Sequence, residues 1–391
     1  MGLFLSTVGI ICEYNPLHLG HSKQLSLVRQ HFGSDTAIVC LMSGNFVQRG
    51  APALVDKTLR AAAAIRSGAD LVLELPVTCA LSSAEGFALG GVRILSSCCD
   101  YLCFGTETAD TDLLMHTAKA LLSDDFSIAL RSQLDTGKSF PAARAAALEQ
   151  LGLTQAPVTS PNDILGVEYC KAILSLGSDM KPWPIHREGG YHDQLPDPEN
   201  PSATALRTLM LEGSDWEAYT PVPDLFRNAP LHTTAAGERA ILARLRTMND
   251  GEFEALPYGS EGLWRKFMHA CRSCATLEEI IAATKSKRYT RTRIDRMVMC
   301  AFLGITRQML EEVPPYTTAL AFNNRGRSVL KQMKQHTPCI NAGEDMDHPY
   351  RAMEKRWGDL YGLFCVDGPE APGTEEKRRV IYLPNSEDSH G

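Results

Sequence analysis

The sequence lacks the features of several protein classes. None of its apolar runs approaches the roughly 18 residues that a membrane-spanning helix needs. The amino terminus has neither a basic region nor a small-residue cleavage site, so we expect no signal peptide. Positive charge is not in excess: 39 Lys and Arg residues stand against 46 Asp and Glu residues, which gives a net charge of −7. Such an acidic chain is a poor candidate for coating nucleic acid without sequence preference.

Metal-ligand spacing is also missing. The chain has twelve cysteines, but Cys271 and Cys274 form the single Cys-x-x-Cys pair and have no second pair or histidine partners at zinc spacing. We therefore expect no metal site. Several other cysteines, such as Cys40 and Cys103, lie in apolar runs, where a thiol behaves as a small hydrophobic group. This usage fits reduced thiols in a cytoplasmic protein.

The length of 391 residues and the hydrophobic content of 44% are typical of a globular protein with two domains. Over the first two hundred residues, short apolar runs alternate with helical patterns, which predicts an α/β fold with a doubly wound parallel sheet. The predicted strands are Thr7–Cys12, Ala37–Met42, Leu71–Leu75, Tyr101–Phe104 and Pro182–His186. The predicted helices are Gly20–His31, Lys57–Ser67, Ser83–Ser97, Asp112–Leu122 and Asp163–Leu176. Functional residues are expected just after the strands, because ligands of such folds bind beyond their carboxyl ends.

Helical patterns dominate from about Ala235 onward. We place a domain boundary after residue 230, so that residues 1–230 form the α/β domain and residues 231–391 a mostly helical region with a flexible C-terminal tail. The helices predicted in this region are Gly237–Thr247, Gly262–Arg272, Leu277–Thr284 and Thr292–Leu303. The composition of Gly368–Glu376 predicts a polar linker, and Val380–Leu383 is a candidate for a last strand.

The residues from Glu13 to His21 follow the first predicted strand and open a helix. Within them, His18-x-Gly20-His21 places two imidazoles beside a glycine at the helix amino terminus. Gly20 allows the backbone to approach a phosphate closely, and the helix end offers N–H groups and the positive end of its dipole. The imidazoles can donate hydrogen bonds to α-phosphate oxygens as charge develops there. The alternative is two histidines that merely begin a helix.

A second segment, residues 202–207 (SATALR), combines helix capping with a cation. Ser202 or Thr204 can cap a helix, and Arg207 then lies in its first turn, where it can meet a departing pyrophosphate. Ordinary capping alone would also explain the serine and the threonine. Together with His18-x-Gly20-His21, the segment resembles the nucleotidylyltransferase superfamily, in which an HxGH sequence works with a later Ser- and Thr-containing sequence that ends in Arg.

Longer segments narrow the resemblance. They are the loop Met42–Pro52 after the second predicted strand, Asp56-Lys57, Gly68–Pro76, Phe104–Glu107 and Ser160–Gly166. Together with Glu13–His21, they resemble the tRNA(Met) cytidine acetate ligase family over about residues 8–210. Asp163 and Leu17 depart from the pattern, because they stand where Asn and Phe are expected. Neither departure changes the phosphate chemistry.

The resemblance implies an HxGH nucleotidylyltransferase-like Rossmann domain in an ATP-dependent ligase. Such an enzyme joins ATP and acetate into acetyl-adenylate and releases pyrophosphate. It then passes the acetyl group to N4 of the wobble cytidine of elongator tRNA(Met), which gives N4-acetylcytidine. Acetate is itself the nucleophile, so catalysis needs positioning and charge stabilisation rather than a strong base. Mg²⁺ is compatible with ATP as a substrate but is not required by the sequence.

The resemblance also implies which residues act. The expected catalytic residues are His18, His21, Thr204 and Arg207. The expected ATP-binding residues are Ile11, Cys12, Glu13, Tyr14, Asn15, Pro16, Leu17, His18, Leu19, Gly20, His21, Ser22, Lys23, Gln24, Gly105, Asn162 and Arg187. Among them, Gly105 suits close packing against adenine or ribose, and Asn162 offers an amide to the adenine edge, with a helix cap as its alternative. Three cations are candidate partners of phosphate or carboxylate and are equally explained as solvated charges. They are Lys23, Arg49 and Lys57.

A basic segment in the second half is the candidate tRNA surface. Residues 285–296 contain six Lys and Arg residues and a single acid, Asp295. With Tyr289 among them, these residues suit phosphate contacts and base stacking. The basic residues upstream are Arg265, Lys266 and Arg272. The alternative is a solvated helix face that is held by ion pairs.

Two other functions are compatible with parts of the sequence. An adenylyltransferase that moves AMP onto a small phosphorylated acceptor would explain both motifs but would leave the basic segment without a role. A non-enzymatic RNA-binding protein with a relict nucleotide site would explain the basic segment but not the intact His18, His21 and Arg207. The sequence carries no signal for the oligomeric state. The first six residues fit a myristoylation pattern formally, but they also lead into the first predicted strand, so we expect no membrane association.

Overall fold

The computed structural model describes residues 6–187 and 202–384. Its strands are β1 (Thr7–Cys12), β2 (Ala37–Ser43), β3 (Phe46–Val47), β4 (Ala51–Pro52), β5 (Leu71–Leu75), β6 (Tyr101–Thr106), β7 (Lys181–His186), β8 (Thr317–Phe322), β9 (Cys339–Asn341) and β10 (Ile381–Tyr382). The helices of the first half are α1 (Leu19–Phe32), α2 (Lys57–Arg66), α3 (Val77–Ala80), α4 (Ala84–Leu95), α5 (Thr111–Leu121), α6 (Asp124–Asp135), α7 (Phe140–Gln150), α8 (Pro161–Ser175), α9 (Ala203–Glu212) and α10 (Pro223–Phe226). Those of the second half are α11 (Glu238–Thr247), α12 (Asp250–Glu254), α13 (Leu263–Ser273), α14 (Leu277–Thr284), α15 (Arg291–Leu303), α16 (Arg307–Glu311), α17 (Asn324–Met333), α18 (Pro349–Tyr361) and α19 (Thr374–Lys377). Short 3₁₀ helices cover Glu217–Tyr219 and Gly362–Phe364.

Eight strands form one sheet in the order β10-β8-β5-β2-β1-β6-β7, with β9 also paired to β8. The five strands from β5 to β7 in this order are parallel, and β8 joins them antiparallel to β5. The chain first builds outward from β1 through β2 to β5, and then returns to the other side of β1 with β6. The predicted doubly wound sheet is therefore confirmed, and its switch point lies between β1 and β6.

The residues of β2 explain why this sheet is central. All seven are buried, and alternate side chains enter two different cores. Ile38 and Cys40 pack with residues of α1 and α2, whereas Val39 and Leu41 pack with residues of α4 and α8. A strand that is covered on both faces requires apolar residues at every position, which is why β2 is a continuous apolar run. Each such side chain contributes about 1.5–3 kcal/mol through burial.

The second half is dominated by helices, as predicted, and these enclose a third core. Residues of α11, α13, α14, α15 and α18 form most of it, and Phe46 and Val77 from the first half are buried in the same core. The chain then returns to the sheet, where β8 pairs with β5 and carries β9 and β10 on its other side. The sheet thus draws strands from both sides of residue 230. The functional division at that residue stays a prediction.

The prediction of a polar linker over Gly368–Glu376 is wrong. α19 begins at Thr374, and Glu375 is only 4% exposed. Its carboxylate accepts hydrogen bonds from Nζ of Lys57 at 3.0 Å and from Nε of Arg378 at 2.9 Å. The polar composition reflects a buried ion-pair network whose cations come from elsewhere in the chain. The predicted flexible tail, residues 385–391, lies outside the described residues.

All twelve cysteines are unpaired in the structure. Within residues 6–187 and 202–384, no helix combines the length and the hydrophobicity that crossing a membrane demands.

Candidate active site

A cavity of about 600 Å³ lies at the carboxyl ends of β1, β6 and β7, beside the switch point of the sheet. Most of the predicted site residues line it. They are Ile11, Cys12, Glu13, Tyr14, Asn15, His18, Gly20, His21, Lys23, Gln24, Gly105, Asn162, Arg187, Thr204 and Arg207. Four predicted ATP-binding residues do not line it, namely Pro16, Leu17, Leu19 and Ser22. Leu17 is fully buried in the core beneath α1, so its role is packing.

His18 and His21 form a reciprocal cap at the amino terminus of α1. Nδ1 of His18 accepts a hydrogen bond from the Gly20 N–H at 3.1 Å, and Nδ1 of His21 accepts one from the His18 N–H at 3.3 Å. The two rings stack with their centroids 3.7 Å apart. A capping box usually joins Ser or Thr to Glu, but here two imidazoles satisfy the same backbone donors. Both rings are therefore fixed in orientation by the start of the helix.

The environment keeps both imidazoles neutral. Burial, together with the positive charges of Arg187 and Arg207, lowers the pKa of His18 to about 3. Burial, the neighbouring His18 and Arg187 also lower the pKa of His21. Because each Nδ1 accepts a hydrogen bond, the proton of each neutral ring lies on Nε2. Nε2–H is thus the donor that each ring has left for a ligand in the cavity.

The Gly20 N–H differs from the prediction. We expected free N–H groups at this helix end, but the Gly20 N–H donates to the His18 imidazole. The N–H groups of His21 and Ser22 both donate to the His18 carbonyl oxygen. The cap therefore replaces part of the expected backbone donor set with imidazole donors. The first turn of α1 still has no acidic residue, which favours an anion there.

The second motif lies against the first. Ser202 caps α9 by accepting a hydrogen bond from the Ala205 N–H at 3.1 Å. Arg207, in the second turn of that helix, donates from Nη1 to the carbonyl oxygen of Asn15 at 2.8 Å and from Nη2 to Oγ1 of Thr204 at 3.0 Å. The helix cap is thus Ser202, and Thr204 serves to orient the guanidinium.

Gly105 and Arg187 lie together on the opposite wall. Gly105 is within β6, and the Arg187 N–H donates to the carbonyl oxygen of Thr106 at 2.9 Å as β7 ends. A Cβ added at Gly105 would meet only Arg187, at an ordinary distance of 3.9 Å. The protein around it does not demand a glycine. The missing side chain instead widens the cavity at this point, as the close approach of a ligand would require.

Asn162 is held by a carboxylate rather than acting as a helix cap. Its Nδ2 donates to Oε1 of Glu107 at 2.7 Å, while Ser160 caps α8 and donates to Oε2 of Glu107 at 2.6 Å. Against the opposing effect of burial, these two hydrogen bonds lower the pKa of Glu107. Because the amide N–H₂ faces Glu107, the Oδ1 acceptor is the group that Asn162 turns to its other side. An exocyclic amino group, such as that of adenine, is a suitable donor to it.

Comparison with known proteins agrees with this geometry. The family model described as HIGH Nucleotidyl Transferase matches residues 5–366. Proteins named tRNA(Met) cytidine acetate ligase are similar to the chain: that of Clostridium novyi (strain NT) is 37% identical over 85% of this chain and 88% of the relative. That of Kosmotoga olearia is 33% identical over 97% of this chain and all of the relative. The chain belongs to this family.

Solved structures of a similar protein have the same fold. The apo crystal structure of Thermotoga maritima TmcAL matches with a TM-score of 0.88 at 29% identity, and covers 97% of this chain and all of the other. A second structure of that protein, described as bound with alpha-thio ATP, matches with a TM-score of 0.86 at the same identity and coverage. The α/β fold with a mostly parallel sheet is therefore shared along nearly the whole chain.

The three candidate cations fall into two groups. Lys23 and Arg49 line the cavity. Lys57 does not: it is buried, and Nζ donates to both carboxylate oxygens of Glu74 at 2.8 Å and to Glu375 at 3.0 Å. Its pKa is raised, because the two carboxylates outweigh the opposing effect of burial. Lys57 therefore stabilises the fold and does not contact a ligand in this cavity.

A buried arginine supports the loops of the site and was missed from the sequence. Arg60 is fully buried in α2. It donates to the carbonyl oxygens of Glu13 at 2.6 Å, Ser43 at 3.0 Å and Val55 at 2.8 Å, and also to that of Gly44. Because Glu13 directly follows β1 and Ser43 ends β2, one guanidinium holds the backbone where both strands end. No sequence signal separates such a residue from an exposed helix arginine.

The basic segment of the second half is more paired than predicted. Arg288 forms an ion pair with Glu261 at 2.7 Å, and Arg291 binds both oxygens of Glu278 at 2.6 Å. Arg293 donates to the carbonyl oxygen of Tyr258. These acids lie outside residues 285–296, so the charge count of the segment alone overstated its surplus. The Arg288 and Arg291 pairs are solvent-exposed, which leaves their partners exchangeable.

The helical region also reaches the cavity, which the sequence did not indicate. Gln48 lines the cavity; its N–H donates to Oε1 of Glu13 at 2.8 Å, and its carbonyl oxygen accepts from Arg296 of α15 at 3.4 Å. A Cβ at Gly50 would lie 2.3 Å from the backbone nitrogen of Arg296, so only glycine allows this approach. Residues 232–234, at the start of the helical region, line the same cavity.

Proposed function

We propose that the protein is an ATP-dependent tRNA(Met) cytidine acetate ligase, which forms acetyl-adenylate and transfers the acetyl group to N4 of the wobble cytidine of elongator tRNA(Met). The observation that carries the proposal is the pair of neutral imidazoles, His18 and His21, fixed at the head of α1 with Arg207 bonded to the same loop. Relatives of that name at 33–37% identity support the substrate assignment.

In the first step, an acetate oxygen attacks the α-phosphorus of ATP and pyrophosphate leaves. Acetate is already an anion at neutral pH, so the site needs donors rather than a base. The Nε2–H groups of His18 and His21 stabilise the charge that develops on the α-phosphate oxygens. Arg207 and Thr204 hold the departing pyrophosphate, and Arg187 adds positive charge from the opposite wall. The solved relative whose name states that it is bound with alpha-thio ATP supports ATP as the nucleotide.

The adenosine half of ATP is assigned to the β6 side of the cavity. Gly105 leaves room for a ring or a ribose, and Oδ1 of Asn162 accepts from an amino group such as N6 of adenine. In this assignment Glu107 does not bind ATP; it orients Asn162. Mg²⁺ as a partner of the phosphates is compatible with the assignment and is not needed for it.

In the second step, N4 of the cytidine attacks the acetyl carbonyl carbon, the bond from that carbon to the phosphate oxygen breaks and AMP leaves. N4 gives up one of its two protons to water in the same step. The cytidine must enter the cavity from the tRNA, and the helical region lies beside it through Gln48 and Arg296. We assign activation of ATP and acetate to residues 1–230 and tRNA binding to residues 231–391. The exposed Arg288 and Arg291 of the basic segment are assigned to tRNA phosphates.

The test is incubation of the full chain with ATP, labelled acetate and bulk tRNA, followed by nucleoside analysis. The expected result is label in N4-acetylcytidine, together with pyrophosphate release that depends on acetate. Label transfer from ATP onto a phosphorylated small molecule, without acetylated tRNA, would support an adenylyltransferase instead. Binding of tRNA without turnover of ATP would support a non-enzymatic RNA-binding protein.

A further inference from the structure

Three potential metal ligands meet at the edge of the cavity, although they come from distant parts of the chain. A ring nitrogen of His232, the sulfur of Cys365 and a carboxylate oxygen of Glu370 lie within 4.8 Å of one another. His232 lines the cavity, and Cys365 is buried. The sequence predicted no metal site, because the single Cys-x-x-Cys pair has no partners at zinc spacing. His232, Cys365 and Glu370 were not among the candidates.

The backbone fixes these three residues beside one another. His232 and Cys365 form an antiparallel β-bridge. On either side of it, the Thr233 N–H donates to the carbonyl oxygen of Phe364 at 2.9 Å, and the Val366 N–H donates to that of Leu231 at 2.8 Å. The Glu370 N–H donates to the carbonyl oxygen of Gly362 at 3.0 Å, which returns the chain to the same place. The donor set is therefore preorganised by main-chain hydrogen bonds.

The imidazole of His232 is polar and buried but is not satisfied. It is 2% exposed, and within the described residues neither ring nitrogen has a hydrogen-bond partner. One face of the ring stacks on Tyr361 with centroids 4.0 Å apart, which fixes its orientation. Buried polar groups of proteins almost always have a partner. A metal ion between the imidazole, the thiol and the carboxylate would supply the missing partner.

The spacing of the donors fits a tetrahedral metal ion. Nε2 of His232 lies 3.3 Å from Oε2 of Glu370, yet the two atoms do not form a hydrogen bond. In a tetrahedral zinc site with bonds of about 2.0–2.3 Å, neighbouring ligand atoms are about 3.3–3.6 Å apart. The nitrogen and the oxygen already have this separation, and the sulfur of Cys365 lies within 4.8 Å of a ligand atom of each of the two side chains.

We propose that His232, Cys365 and Glu370 bind a zinc-class divalent transition metal ion. Imidazole, thiolate and carboxylate together favour Zn²⁺ over Mg²⁺ or Ca²⁺, which prefer oxygen ligands alone. Because His232 lines the cavity, the proposed ion lies beside it. The ion would fasten the segment 231–234, one wall of the cavity, to residues 362–370. The proposal does not depend on the proposed reaction.

The test is a titration of the full-length, chelator-treated and reduced protein with Co²⁺ in the absence of ATP. The expected result is one equivalent bound, with a near-ultraviolet sulfur-to-cobalt charge-transfer band and intense visible bands of tetrahedral cobalt. Zn²⁺ is expected to abolish both by displacement. Cys365→Ser should remove the charge-transfer band and weaken Zn²⁺ binding by about 100-fold or more. The matched control is Cys99→Ser, which alters an equally buried cysteine and should leave both unchanged.

Glu370→Gln provides an independent arm, because Glu370 is partly exposed and its replacement should not impair folding. It is expected to weaken Zn²⁺ binding while the charge-transfer band persists at saturating Co²⁺. The proposal is overturned if wild-type protein gives no stoichiometric band, or if the band survives in Cys365→Ser. Loss of the band in Cys99→Ser, or unchanged affinity in Glu370→Gln, overturns it equally. Circular dichroism and thermal melting of the metal-free variants establish that each is folded.

Discussion

The guanidinium of Arg207 donates a hydrogen bond to the carbonyl oxygen of Asn15 at 2.8 Å, across 192 positions of the sequence. Asn15 lies in the loop between β1 and α1, so the bond joins the helix of the second motif to the loop of the first. The Asn15 side chain is held in turn, because its Oδ1 accepts from the Leu54 N–H at 2.7 Å. The loop of the first motif is therefore tied both to the helix of the second motif and to the segment after β4.

Arg207→Lys is expected to reduce the rate of acetyl-adenylate formation by about 10²-fold. A lysine keeps the charge, but a single ammonium cannot reproduce a planar fork that bonds Asn15 and Thr204 together. ATP–pyrophosphate exchange in the presence of acetate measures this rate. Arg227→Lys is the control: Arg227 pairs with Glu217 on the surface, and its replacement should leave exchange unchanged. Full activity of Arg207→Lys would show that charge alone suffices.

His21→Asn separates the chemical role of His21 from its capping role. The Oδ1 of asparagine can accept the His18 N–H as Nδ1 does, but the Nε2–H donor is lost. Adenylate formation is expected to fall by about 10²–10³-fold, while the thermal midpoint and the tRNA affinity stay near those of the wild type. His21→Gln should recover part of the rate, because its amide can donate from near the Nε2 position. Equal loss of adenylate formation and tRNA affinity would mean that the histidine is structural.

The low pKa of His18 makes stability depend on pH. Its folded value is about 3 and its unfolded value is near 6.5, so between these pH values only the unfolded chain binds the proton. The free energy of unfolding therefore falls as the pH falls from 6.5 towards 3, by about 1.4 kcal/mol per pH unit for this group. In urea unfolding, His18→Asn should show a slope smaller by about that amount. An unchanged slope would contradict the conclusion that His18 is buried in its neutral form. His348→Asn is the control for loss of an imidazole helix cap, because His348 caps α18 but is exposed.

The strands β1, β2, β5, β6 and β7 were predicted to within two residues. β2 and β5 gave the clearest signal, because every residue of each is buried and the run is therefore largely apolar. β8 was missed, although Thr317–Phe322 is also apolar. It pairs antiparallel with β5 after more than two hundred intervening residues, and a short run among helical patterns carries no information about such a distant partner. Local pattern therefore predicted the parallel core but not its extension.

The residues of the candidate site likewise fall into those that the sequence predicted and those that it missed. The motifs around His18 and Arg207 were recognisable because their chemistry lies in consecutive residues. Arg60 and residues 232–234 were not, because only the folded chain brings them to the site. Lys57 is the converse case, a residue that the sequence made a candidate and the fold removes from the site. A cation beside a motif is compatible with phosphate binding, and only the structure shows that its partners are the buried carboxylates of Glu74 and Glu375.

Lys57→Met is expected to destabilise the protein by about 3–5 kcal/mol, because Glu74 is left buried without its cation and Glu375 loses one of two. The KM for ATP in pyrophosphate exchange should stay unchanged, since Lys57 does not line the cavity. Lys23→Met is the matched contrast, because Lys23 is exposed at the cavity. This variant should change the free energy of unfolding by less than about 0.5 kcal/mol and raise the KM for ATP. Urea unfolding gives the stability. A raised KM in a folded Lys57→Met protein would return Lys57 to the site.

Variants of the Arg291–Glu278 ion pair test whether Arg291 contacts tRNA or only forms a surface ion pair. If Arg291 contacts phosphate, Glu278→Gln should strengthen tRNA binding, because it frees the guanidinium and removes a repulsive charge. Arg291→Glu should weaken tRNA binding and make the slope of log affinity against log salt less steep by about one. Both variants should keep acetate-dependent pyrophosphate exchange, because neither residue lines the cavity. If neither variant changes tRNA affinity in filter-binding titrations across salt concentrations, the ion pair is structural and the tRNA surface lies elsewhere.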